Sequence, residues 1–160
     1  MKKYLSILLL IFYSSIISAE IHAETGPTFV AELTSWEGLD PDFTNGQAYL
    51  ITYRTKNNYE IGVIGLTSQM YSYCCGHYAT IPQNYGIRVA KILEMRNFQI
   101  GGGINYWSKT SIIFSQKQTF EFVVGYKITE HARINFRHYS NGNQTLPNIG
   151  LNLIAIELSF

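Results

Sequence analysis

The sequence predicts an all-β fold, an eight-stranded antiparallel up-and-down transmembrane β-barrel. Three observations lead there. Charged residues make up only 14% of the chain and aromatics another 14%, with 12 Tyr, whereas a soluble domain carries about 25% charge. The N-terminus has the make-up of an export signal. Behind it, eight short segments show period-two or strand-like patterning, joined by connections that alternate between tight and long, as in outer-membrane barrels.

In the leader, Lys2 and Lys3 supply the positive region, Leu5 to Ile17 the mostly apolar core, and small residues follow. Cleavage is expected after Ala19 or Ala23, so residues 1–23 are read as signal peptide and 24–160 as the barrel. The apolar core is short for a spanning helix, and no later segment approaches an apolar run of about 18 residues. Removing the leader leaves 137–141 of the 160 residues, one domain by size. A net charge of +1 argues against a nucleic-acid partner, which would favour a strongly basic surface.

The strands are expected near 28–36, 46–55, 59–69, 84–95, 98–107, 118–128, 131–141 and 150–160, close to the roughly 9–11 residues a tilted spanning strand needs. Asn57-Asn58, Arg96-Asn97 and Thr129-Glu130 read as tight turns. The connections 37–45, 70–83, 108–117 and 142–149 are longer and rich in Gly, Pro, Asn and Ser. Short turns are periplasmic in such barrels, and an even strand count returns both termini to that side.

The last strand sets the facing. Ile154, Ile156, Leu158 and the terminal Phe160 share one face, while Ala155, Glu157 and Ser159 share the other. A terminal aromatic with alternating apolar partners resembles the C-terminal signature of outer-membrane barrels, so even positions here face lipid. Segment 118–128 agrees, with Phe120, Phe122, Val124, Tyr126 and Ile128 outward and Glu121 and Lys127 inward. Gly101, Gly102 and Gly103 lie inside a strand with no helix after them, which fits relief of crowding in a small barrel better than a phosphate loop. Eight strands enclose room for little more than side chains, which disfavours a pore, a transport channel and a lumenal enzyme pocket alike. Cys74 and Cys75 are adjacent and form no disulfide framework; a strained pair or free thiols in a loop fits them best, and His77 alone adds too few ligands for a metal site. His131 reads as an ordinary turn residue.

The chemistry lies in segment 131–141. Its even positions run Ala132, Ile134, Phe136, His138 and Ser140, against His131, Arg133, Asn135, Arg137 and Tyr139 on the odd face. A histidine and a serine thus interrupt the lipid side near the extracellular end, where the ester bonds of outer-leaflet lipids lie. Residues two apart on a strand are separated by about 6.6 Å, so an imidazole leaning along the strand reaches the hydroxyl, the arrangement of a base beside its nucleophile. A symmetric hairpin puts Ser140 opposite Gly150 and His138 opposite Asn152, with opposed Cβ atoms about 4.5–5.5 Å apart, close enough for Asn152 to orient the ring. Taken alone, His138 and Ser140 also fit polar residues at a barrel rim, and Asn141-Gly142 fits a turn former. The downstream Pro147-Asn148, Gly150 and Asn152 string favours a site.

The run His138-Tyr139-Ser140-Asn141-Gly142, then Pro147-Asn148 and Gly150, resembles the signature of the PagL family, the outer-membrane lipid A 3-O-deacylases. The motif covers residues 136–152, and size and strand plan extend the resemblance over the mature chain. It implies an eight-stranded barrel in the Gram-negative outer membrane whose outer wall carries a serine esterase acting on lipid A, among outer-membrane lipids. In that scheme Ser140 is the nucleophile, His138 the base, Asn152 the residue fixing the ring, and Asn141, the backbone N–H of Gly142 and Asn148 are oxyanion or substrate-binding candidates. No cofactor or metal is required, and a homodimer is left open. One position departs: that family's pattern has a glutamate where this chain has Asn152. An amide holds an imidazole but does not neutralise the imidazolium. The string is also similar to outer-membrane phospholipase A, in which an asparagine is the third member, but that is a twelve-stranded, calcium-dependent dimeric barrel too large for this chain. A small non-catalytic barrel binding a surface ligand, through loop 70–83 with Tyr71, Tyr73 and Tyr78, is the alternative from another class.

Overall fold

The computed structural model describes residues 20–32, 40–73, 77–111, 113–142 and 150–160. Its strands are β1 (Glu20–Glu32), β2 (Asp40–Arg54), β3 (Tyr59–Leu66), β4 (Gln69–Tyr73), β5 (His77–Ile81), β6 (Asn84–Met95), β7 (Phe98–Trp107), β8 (Gln118–Lys127), β9 (Ala132–Ser140) and β10 (Leu151–Ser159). Eight of them close into a barrel in the order β1-β10-β9-β8-β7-β6-β3-β2, and β4 and β5 form a separate two-stranded sheet. All barrel pairings are antiparallel, and β1 closes on β10 with His22 opposite Ser159 and Thr25 opposite Ile156. Closure removes every sheet edge, the condition for placing strands in hydrocarbon, where an unsatisfied backbone group costs several kcal/mol.

Three expectations are corrected. The first strand begins at Glu20, not near 28, because His22 and Glu24 are interior residues and the strand stays in register with β10 from His22 to Phe29; Pro27 faces outward, and the ladder to β2 shifts just after it. Position 23, one of the two expected cleavage points, therefore falls inside β1. The connection expected over 70–83 contains the β4–β5 hairpin, with Gln69 opposite Ile81, and the one expected over 37–45 is shortened because β2 reaches out to Asp40 and pairs with Glu32. Cys74 and Cys75 lie outside the described residues.

The tight turns are where the spacing places them. Asn58 and Arg96 take left-handed backbone conformations (φ 59° and 53°), and Met95 pairs directly with Phe98 across Arg96-Asn97. Two of the three strand glycines face inward under crowding. A Cβ on Gly101 would stand 2.5 Å from the Lys91 carbonyl oxygen, and one on Gly103 2.6 Å from that of Val89.

The interior is solid and divided by polarity. Toward the short turns and mid-barrel, buried arginines and glutamates interlock. Arg54 binds Glu60 through Nε (2.8 Å) and Nη2 (2.5 Å). Arg88 bridges Glu60 (2.6 Å) and Glu121 (2.9 Å), Arg133 reaches Glu157 (2.8 Å), and Arg137 grips Glu24 in a fork (2.8 and 2.6 Å) while also binding Glu121. Charges so far from water are tolerable only because each is paired and hydrogen-bonded. Toward the long loops the filling is uncharged and largely apolar, from Val30, Leu50, Ile64, Leu66, Trp107, Leu151 and Leu153 with Thr28, Asn105 and Thr119 among them, capped by Ile113 and Phe114 of the β7–β8 connection.

The outer wall inverts that pattern. Ile51, Val63, Ile87, Val89, Ile134 and Ile156 are exposed in a belt. Tyr59, Phe98, Tyr126 and Phe160 ring its short-turn end, and Tyr49, Tyr85, Tyr106 and Phe120 its long-loop end, the aromatic girdles of a membrane barrel.

Candidate active site

Alternation along β9 decides what faces out. Arg133, Asn135, Arg137 and Tyr139 are buried inside, and His138 and Ser140 stand half-buried on the outer face. Register aligns a row across four strands: Phe122 of β8 opposite His138 of β9, His138 opposite Asn152 of β10, and Asn152 opposite Phe29 of β1. A polar pair is thus framed by two phenylalanines. Phe29 faces out by the unbroken alternation of β1, whose register with β10 runs on from Thr25–Ile156 to Phe29–Asn152, and it also meets Phe136, ring centroids 6.3 Å apart. Between these rings Asn152 is only 5% exposed, although it occupies a lipid-side position.

His138 Nδ1 and Asn152 Oδ1 are 2.8 Å apart. An amide oxygen only accepts, so Nδ1 donates and Nε2 keeps the lone pair of a base. The ring's Cε1 edge lies over Gly150, where a Cβ would come within 2.9 Å of Cε1, and Gly150 has φ +75°. Glycine is required there on both counts. Continuing the Tyr139–Leu151 register puts Gly150 across from Ser140, so the ring leans toward the serine's end of the face. No hydrogen bond joins His138 to Ser140 among the described residues; catalytic bonds of this kind are commonly long in unliganded sites and tighten with substrate.

The remaining sequence candidates divide. Gly142 (φ +65°) turns the chain beside the Phe120 ring, 3.0 Å from where its Cβ would be, and Phe120 pairs with Ser140. Asn141 points the other way: it is fully buried, and its Nδ2 donates to Ser115 Oγ at 2.7 Å. Its amide is held inside the barrel mouth, which leaves the backbone N–H of Gly142 as the expected oxyanion candidate that remains within the described residues. Asn148 lies outside the described residues. Phe29 and Ser115 were missed by sequence reasoning. Phe29 is placed by the β1–β10 closing pair, a contact across the whole chain that local alternation does not reveal, and Ser115 by a loop contact across 26 residues.

No family model matches the chain, and no curated protein matches it. Among solved structures it is similar to Ail, the attachment invasion locus protein of Yersinia pestis, in complex with the heparin analogue sucrose octasulfate, with a TM-score of 0.51 and 12% identity over 90% of this chain and all (100%) of that one. The structure of Ail from Yersinia pestis in a phospholipid bilayer nanodisc matches with the same TM-score, 0.51, and 12% identity over 89% of this chain and 100% of the other. The chain has the closed eight-stranded antiparallel barrel fold of these outer-membrane proteins. At this identity the likeness carries the barrel's architecture and not its chemistry. Neisserial surface protein A (NspA) also matches, with a TM-score of 0.48 and 11% identity over 88% and 95% of the two chains.

Proposed function

We propose that this barrel is an esterase that releases the 3-O-linked acyl chain of lipid A in the outer leaflet. The observation that carries the reading is the 2.8 Å His138–Asn152 hydrogen bond on the lipid-facing wall, one same-face step from Ser140. In the mechanism, His138 Nε2 takes the Ser140 proton as Oγ attacks the acyl carbonyl, and the oxyanion is met by the N–H of Gly142. Collapse of the tetrahedral intermediate returns that proton to the departing sugar oxygen and leaves an acyl-serine. Water, deprotonated by the same nitrogen, then frees the fatty acid and restores the serine. Asn152 holds the ring in the tautomer both steps need.

The fold favours a substrate delivered laterally. Charged and apolar side chains fill the lumen, and the polar pair opens to the side occupied by acyl chains. A second reading, a non-catalytic barrel binding a surface ligand, draws on the β4–β5 hairpin beyond the barrel sheet and on the unjoined Ser140 and His138. One experiment separates them. Purified protein is incubated with vesicles of lipid A and phospholipid, and the lipids are read by mass spectrometry. Loss of one 3-hydroxyacyl chain from lipid A supports the deacylase, and Ser140→Ala should abolish it while the heat-modifiable barrel persists. Lysophospholipid would reassign the substrate to phospholipid. Unchanged lipids would leave the binder.

A further inference from the structure

We infer that the β7–β8 connection, residues 108–117, is a positioning device that aims Ser140 from inside the barrel; this rests on Ser140 being the nucleophile. The β9–β10 ladder ends at Tyr139 opposite Leu151, so among the described strands Ser140 is paired on the β8 side, at Phe120, and lies one step past the end of the ladder on the other. Ends of ladders open easily, yet a nucleophile must be held to a fraction of an ångström. The two chain neighbours of Ser140 supply the missing restraint.

Both turn inward; Asn141 is held by this connection directly, and Tyr139 through Trp107, the last residue of β7, on which the connection packs. Tyr139 is fully buried with its ring edge-on to Trp107, centroids 6.1 Å apart at 80°. Trp107 is pinned by its Nε1–H to Thr119 Oγ1 (2.9 Å) and stacks on Phe114 at 4.8 Å and 16°. Asn141, on the other side of the serine, donates to Ser115 Oγ at 2.7 Å. Phe114 and Ser115 are consecutive, and the turn that presents them is closed by Ser111, whose N–H donates to the Phe114 carbonyl (2.9 Å) and whose Oγ accepts from the Phe114 N–H (3.0 Å). In a strand, successive side chains point to opposite faces. Clamping residues 139 and 141 inward therefore fixes the outward direction of residue 140. Phe114 and Ser115 act through these neighbours and touch no substrate; they are positioning residues.

The test is Ser115→Ala, assayed for acyl release beside wild type, Ser140→Ala and Ser115→Thr. The expected result is a fall in kcat of about 10- to 100-fold with KM and heat-modifiability unchanged, and recovery of most of the loss in Ser115→Thr, which keeps the hydroxyl. Wild-type kcat in Ser115→Ala, an effect on KM alone, or a loss that threonine does not rescue overturns the positioning role while the esterase reading stands. No acyl release by wild type overturns the esterase reading and this inference with it. If Ser115→Ala loses the heat-modifiable form, Phe114→Leu, which keeps an apolar plug without the stacked ring, is judged by the same fall in kcat at unchanged KM.

Discussion

Position 152 concentrates the chemistry of the site in one functional group. An asparagine oxygen accepts from His138 Nδ1 but brings no charge to the imidazolium that forms during attack, and exchanging acid for amide in a serine-protease triad costs about 10⁴ in turnover. Asn152→Glu is therefore expected to raise kcat by at least about tenfold, and Asn152→Ala to lower it; a glutamate variant slower than wild type would show that the amide is the better partner in this setting. Gly150 gives a second test. At φ +75° and with His138 Cε1 2.9 Å from an added Cβ, Gly150→Ala is expected to displace the ring and destabilise the barrel by about 1 kcal/mol or more. Wild-type kcat and urea midpoint in that variant would overturn both. The outward step from His138 to Ser140 and the pairing with Asn152 were legible from alternation and hairpin symmetry. The inward turn of Asn141 was not used in assigning it a role, although the same alternation puts 141 on the interior face, where the loop supplies its partner.

At the scale of the element, the strands follow the binary pattern, and the misses fall where a strand breaks it. β8 and β9 keep charged residues inside and apolar ones outside along their spanning lengths, so period two located them within a residue. β1 carries Glu24, Thr25, Gly26 and Pro27 in succession, polar and turn-forming residues that conceal a strand until Glu24 is seen to bind Arg137 from inside the barrel. The same strand bears on processing. Cleavage after Ala23 would remove His22, which is buried with Nδ1 2.8 Å from Glu157 Oε1, and the closing pairs at residues 22 and 23; cleavage after Ala19 leaves β1 whole. Intact-mass analysis of protein extracted from outer membranes is expected to show a chain beginning at Glu20, and a start at Glu24 would reject that. The β4–β5 hairpin was hidden for a different reason: its strands of five residues each are too short to declare a period beside a loop-like composition.

At the scale of the whole molecule, stability and imperviousness have one source, the packed interior. Arg88 lies fully buried between Glu60 and Glu121, and Arg88→Leu removes one arginine from each, leaving Glu60 to Arg54 and Glu121 to Arg137. The expected loss is about 3–5 kcal/mol, read from urea unfolding in phospholipid vesicles by tryptophan fluorescence; a change within about 1 kcal/mol would mean the remaining arginines suffice. Planar-bilayer recordings are expected to show no stepwise conductance, because paired charges fill one half of the lumen and the stacked Trp107 and Phe114 stop the other. That plugged bore also dictates traffic. In the proposed reaction a lipid reaching His138 has to drift sideways within the leaflet, and the water that hydrolysis would consume has to descend from the external medium past the rim. Supply is two-dimensional for lipid and one-sided for water, so turnover should follow how freely the leaflet flows and be indifferent to solutes confined to the periplasm.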